Sequence, residues 1–114
     1  MNPSVTEAFG LAIIGAGGPP AFPGMPGAGP DLAQARRDAA SVAKAIGIIR
    51  DAVPDAGSCV SEAGFTDPDW QRRSFGDNYR RLLDVKDRYD PGSLFTTHHG
   101  VGSERWSLDG FTPV

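Results

Sequence analysis

FGDNYRRLLDVKDRYDPGSLF, residues 75–95, reads as a helix closed by a proline turn and an aromatic anchor. Phe75, Leu82, Val85 and Tyr89 recur at helical spacing and fall on one face. Asn78 lies on the same face, three residues from Phe75 and four from Leu82. A primary amide buried without partners costs about 1 to 3 kcal/mol. Asn78 is therefore expected to hydrogen-bond either a loop backbone or the polar edge of a ligand.

Working outward, TDPDW at 66–70 supplies a capping Thr66 or Asp67, with Pro68 in the first turn and Asp69 at the positive helix end. One helix is thus predicted from about Asp69 to Tyr89. Arg72, Arg73, Arg80, Arg81, Asp77, Asp84 and Asp87 form its solvated side. Asp90 precedes a proline, which disfavours helical dihedrals, and Pro91-Gly92 makes the turn. Leu94 and Phe95 then anchor the chain, and the glycine-punctuated tail from Thr96 to Val114 wraps over a surface.

Upstream, CVSEAGF at 59–65 alternates sides and is predicted to be a strand held by neighbours in a sheet. A longer helix is predicted from Asp31, its N-cap, to Val53, where Pro54 stops it. Leu32, Ala35, Ala39, Val42, Ile46, Ile49 and Val53 form its apolar stripe. Residues 15–30 contain 11 Gly or Pro in 16 positions and make a flexible loop. Its GAGG lacks the third spaced glycine and the following helix of a dinucleotide-binding turn. Residues 1–14 are read as a strand or a short helix.

A chain of 114 residues has room for one domain. Gly and Pro together number 25, so it is loop-rich with a modest core. A net charge of -3, with both signs interspersed, offers no positive field for phosphate backbones or anionic lipid. Neither nucleic acid nor membrane is expected as a partner. The apolar run Phe9–Ile14 is far shorter than the roughly 20 residues of a membrane span and no Lys or Arg precedes it. One cysteine, Cys59, allows no internal disulfide. Adjacent His98 and His99 point apart on an extended chain, so no metal site is expected.

The run PDWQRRSFGDNYRRLLDVKDRYDPGSLFTTHHGVGSERW resembles the C-terminal signature of the berberine-bridge-enzyme-like FAD-linked oxidases, a branch of the vanillyl-alcohol-oxidase flavoprotein superfamily. GSCVSEAGF is similar to the strand that carries Tyr-x-Asn-Glu or Tyr-x-Asn-Tyr in that family, with Cys59 and Ser61 replacing its Tyr and Asn. MNPSVTEAF resembles its NPAWR segment. The resemblance implies that residues 31–114 form a berberine-like C-terminal region and residues 1–14 a piece of the substrate domain. It also implies FAD as cofactor, Asn78 as a residue near the flavin, and Glu62 as a general base taking a substrate proton during hydride transfer to flavin. The implied partners are an FAD-binding domain or chain and, in the complete enzyme, a small-molecule substrate.

The expected fold is α+β: two helices packed on one or two strands of an incomplete antiparallel sheet, followed by a long irregular C-terminal tail. The expected function is the C-terminal part of an FAD-dependent oxidoreductase, inactive as an isolated chain. One alternative is an inert remnant or accessory module that binds a flavin-carrying partner. Another is a small helical interaction protein.

Overall fold

The computed structural model describes residues 1–22 and 24–114. These residues divide into two compact units, one formed by Met1–Gly10 with Ala56–Val114 and the other by Leu11–Asp55.

In the second unit, the glycine- and proline-rich stretch makes turns, with Gly24 and Gly27 at φ 84° and 75°. Helix α1 then runs Leu32–Ala52. The Asp31 carboxylate accepts the Gln34 amide at 2.9 Å, satisfying one of the donors that a helix start leaves free. The Val53 amide closes the last turn on the Ile49 carbonyl at 2.8 Å, and Pro54 prevents another. No α1 residue is buried.

The first unit carries the site. It opens with a 3₁₀ turn at Pro3–Thr6 and contains helices α2 (Trp70–Phe75) and α3 (Asn78–Tyr89), which pack on each other. The single helix expected over 69–89 is therefore two. The break is Gly76, whose φ of 54° and ψ of −142° lie outside any helical well. A side chain from the other end of the unit occupies this corner. Asn2 Nδ2 donates to the Arg73 and Arg72 carbonyls at 2.8 and 3.2 Å, and Asn2 Oδ1 accepts the Ser4 amide at 3.0 Å. Asn2 thus adds a second donor to carbonyls that already accept the Gly76 and Ser58 amides, both at 2.8 Å.

The expected sheet is overturned. Among the described residues there is no strand, and the antiparallel pairing is confined to one bridge between Trp106 and Pro113. CVSE turns instead of extending: the Glu62 amide donates to the Cys59 carbonyl at 3.1 Å. Val60 is the segment's only residue of high β-propensity, and a strand needs neighbouring backbone to satisfy its ladder. A local turn needs none, and residues 59–62 are exposed to solvent. The unit is held by helices and hydrogen-bonded turns, and α1 belongs to the other unit.

The packed face of α3 also differs from the expected one. Leu82 and Leu83 are half-buried, as are Tyr79 and Lys86, whereas Val85 and Tyr89 are 47% and 76% exposed. The Lys86 ammonium turns back to Asp90 and to the Phe95 carbonyl, the latter at 2.6 Å. Asp90 in turn accepts the Leu94 and Phe95 amides at 2.8 and 3.0 Å. Lys86 first, and then those amides, hold the Asp90 carboxyl below the usual carboxylate range against the opposing effect of burial. This network folds the DPGSLF turn back along α3 and leaves Leu94 and Phe95 exposed.

Candidate functional site

Six rings form the centre of the first unit. Phe65 stacks on His98 at 3.8 Å, His98 on His99 at 3.9 Å, and His99 on Trp70 at 5.1 Å between ring centres. Trp70 meets Phe75 and Tyr79 edge-on at 6.2 and 5.7 Å, the arrangement favoured by the ring quadrupoles. Phe75, the last residue of α2, and Tyr79, in the first turn of α3, meet across the Gly76 break at 5.7 Å between ring centres.

Each ring has a local cause for its position. Trp70 begins α2, behind a turn in which buried Asp67 accepts the Asp69 amide at 3.2 Å. His98 Nε2 lies 2.6 Å from the Phe65 carbonyl oxygen. His99 adopts a left-handed φ of 56°, which turns its ring inward, and it is 8% exposed. Burial lowers the His99 pKa, the neighbouring His98 adds to that, and Asp67 opposes it.

Tyr79 is the second anchor. Its hydroxyl donates to Glu104 Oε2 at 2.6 Å and accepts the Gly102 amide at 3.2 Å. Gly102 has a φ of 82°, so the turn before Glu104 favours glycine. Burial, then the Glu104 carboxylate, pushes the Tyr79 pKa up to about 12. Because the folded value lies above the ordinary one, this group's stabilisation is lost as pH rises past about 10. Absorbance titration should find one of the chain's two tyrosines ionising near pH 12, and Glu104→Gln should bring that value down. An unchanged value in the variant would show that burial alone holds the phenol.

Beside the rings lies an open groove of about 530 Å³, lined by Trp70, His98, His99, Glu104, Trp106 and Phe111 among others. Its walls can stack a flat ring, and Glu104 and the imidazoles offer polar contacts. Neither of the residues singled out from the sequence lines it. Glu62 is exposed, in the 60–62 turn. Asn78 is half-buried at the first residue of α3, where its Nδ2 donates to the Met1 carbonyl at 3.1 Å. Among the described residues no group of three His, Cys, Asp or Glu is placed to hold a metal ion. No described helix is long and apolar enough to cross a membrane.

Sequence reasoning missed the Tyr79–Glu104 and Trp70–His99 pairings. The signals present were the aromatic residues at 70, 75 and 79 and the glycines at 100 and 102 that let the tail turn. Neither specifies which helix the tail meets.

Comparison with known proteins gives a consistent result. Residues 41–102 match the family described as berberine and berberine like. The FAD-linked oxidoreductase ZEB1 of Gibberella zeae is 47% identical over 55 residues, covering 48% of this chain and 10% of that protein. The VAO-type flavoprotein oxidase VAO615 of Thermothelomyces thermophilus is 45% identical over 58 residues, 51% of this chain and 10% of that one. The bifunctional decalin synthase calF of Penicillium decumbens is 38% identical over 78 residues, 68% of this chain and 13% of that one. The chain therefore spans about a tenth of the length of the curated relatives it matches. No solved structure gives a significant match. With more than half of its 114 residues inside the family match, and relatives named as FAD-linked oxidoreductases and flavoprotein oxidases, the chain belongs to the berberine and berberine-like family.

Proposed function

We propose that this chain serves as the berberine-like C-terminal part of an FAD-linked oxidoreductase, acting on a small-molecule substrate together with an FAD-binding domain or chain. The observation that carries this reading is the family match over residues 41–102, which includes Asn78 and the His98–Gly102 turn. Asn78 fits a role toward the flavin. A primary amide has two donor hydrogens and an acceptor oxygen, and the Met1 carbonyl takes one of those hydrogens. One N–H and the carbonyl oxygen remain for a polar ring edge.

Bound FAD supplies a hydride acceptor for oxidation of a substrate carbon. Asn78 orients that ring through its spare amide positions. Glu62 is exposed and, as a carboxylate, can take a proton released from substrate. Glu62 lies outside the groove, which supports a second reading, an accessory module that binds a flavin-carrying partner without chemistry of its own.

Both readings are tested by adding the chain to an FAD-loaded flavin domain that lacks its own berberine-like region, and following flavin fluorescence and substrate-dependent bleaching. Binding should weaken about tenfold in Asn78→Ala, the loss of roughly one hydrogen bond. Equal affinity of the variant would remove Asn78 from the flavin. Glu62→Gln should abolish bleaching while leaving binding intact; binding without bleaching in the native chain would favour the accessory module.

A further inference from the structure

The stacked histidines are poised for a proton-dependent change. His98 and His99 lie 3.9 Å apart between ring centres, inside a continuous stack closed by Phe65 on one side and Trp70 on the other. A carbonyl oxygen only accepts, so His98 Nε2 carries the hydrogen shared with Phe65. His98 is exposed, and a proton added at its other nitrogen leaves that donation in place. His99 is different, because it is buried and any charge on it sits against the neighbouring imidazole.

We infer that the His98–His99 pair is a proton-operated latch, holding the segment from Thr96 to Glu104 on Trp70 while at most one imidazole is charged and releasing it when both are.

The surrounding groups decide how much charge the closed state tolerates. On the 64–69 turn, buried Asp67 favours a positive charge on His99, as does the Trp70 face from α2. On the side of α3, the Tyr79 phenol stays neutral and its partner Glu104, on the tail, is occupied by that hydroxyl. The groove has a further carboxylate, Asp109, which is committed to Ser107 and to the Phe111 amide. One cation is thus accommodated, whereas two on faces 3.9 Å apart repel, and burial of His99 limits the screening on its side. Burial and the His98 charge act in the same direction on His99. The left-handed backbone at His99 adds strain that opening relieves. Opening also draws Glu104, five residues on, away from Tyr79 and uncovers the Trp70 ring.

The sign follows from proton counting. Burial and the neighbouring imidazole hold the His99 pKa below its ordinary value, so the closed form is full above about 6.5 and is lost as pH falls below it.

The test is a titration of the full chain from pH 8 to 4.5, following the two histidine ring signals by NMR and the fluorescence of Trp70 and Trp106. In the native chain the fluorescence change should track the later of the two histidine titrations. His98→Phe keeps a ring in the stack and removes its charge. In that variant the His99 midpoint should move up, and the fluorescence transition should disappear. His98→Phe combined with His99→Phe should remain closed throughout, with near-UV circular dichroism confirming that the rings stay packed. The inference is overturned if the double variant keeps the native transition, or if both native histidines titrate at their ordinary value with no tryptophan response.

Discussion

Trp70→Ala should remove most of the stability of the first unit. Trp70 is 8% exposed and, with Phe75, is one of only two buried apolar side chains among the described residues. It is also the ring that joins α2, α3 and the tail, through Phe75, Tyr79 and His99. Truncating a buried tryptophan costs about 3 to 5 kcal/mol, and the edge-on pairs add about 0.5 to 1.5 kcal/mol each beyond burial. Whole domains are stable by only about 5 to 15 kcal/mol. Urea denaturation followed by near-UV circular dichroism should therefore find the variant unfolded or close to it, with Trp70→Phe intermediate. A loss below about 1 kcal/mol would mean that the ring cluster is not the core.

Gly76→Ala is the second large effect. The positive φ is unfavourable for any residue with a Cβ and costs on the order of 1 to 3 kcal/mol. In addition, a Cβ here would lie 2.8 Å from Asn2 Oδ1 and 3.1 Å from Pro3 Cδ, which are part of a docked turn and have little room to retreat. Displacing Asn2 breaks its hydrogen bonds to the Arg72 and Arg73 carbonyls, adding about 1 kcal/mol. The sum, about 2 to 4 kcal/mol, corresponds to a fall in Tm of roughly 10 °C or more for a unit of this size. Gly47→Ala is the contrast: inside α1 nothing stands within 4 Å, so it should raise helix stability by about 0.5 to 1 kcal/mol. If both substitutions act alike, the corner at Gly76 is not strained as described.

These two positions show what the sequence could and could not disclose. Asp31, Pro54 and the DPGSLF turn are local devices, each acting within a few residues, and they were legible from spacing alone. The break at Gly76 was not. Its glycine sits in a pattern that is helical on both sides, and the corner is filled by Asn2, which bonds to Arg73 across 71 residues. The packed face of α3 was misjudged for a related reason. Lys86 and Asp90 look like surface charges, yet each is satisfied by the other and by the turn that follows, so the helix settles with them half-buried and Tyr89 outside. The strand over CVSE failed because alternation marks a strand only where a neighbour exists to pair with it. Of the site residues, Asn78 was legible as a half-buried amide, and the structure supplies one of the alternatives considered for it, a loop backbone at Met1. Tyr79 and Glu104 were invisible because their meeting depends on the path of the whole tail.

The clasp formed by Asn2 has a kinetic consequence. Its bonds to Arg72 and Arg73 join backbone separated by 70 and 71 residues. During synthesis Asn2 must wait, without its partners, until the corner at position 76 has emerged. Closing so wide a loop is entropically expensive compared with forming α1, which needs only neighbours. The slowest event in assembling the first unit should therefore be the homecoming of the segment around Asn2, long after α1 has wound.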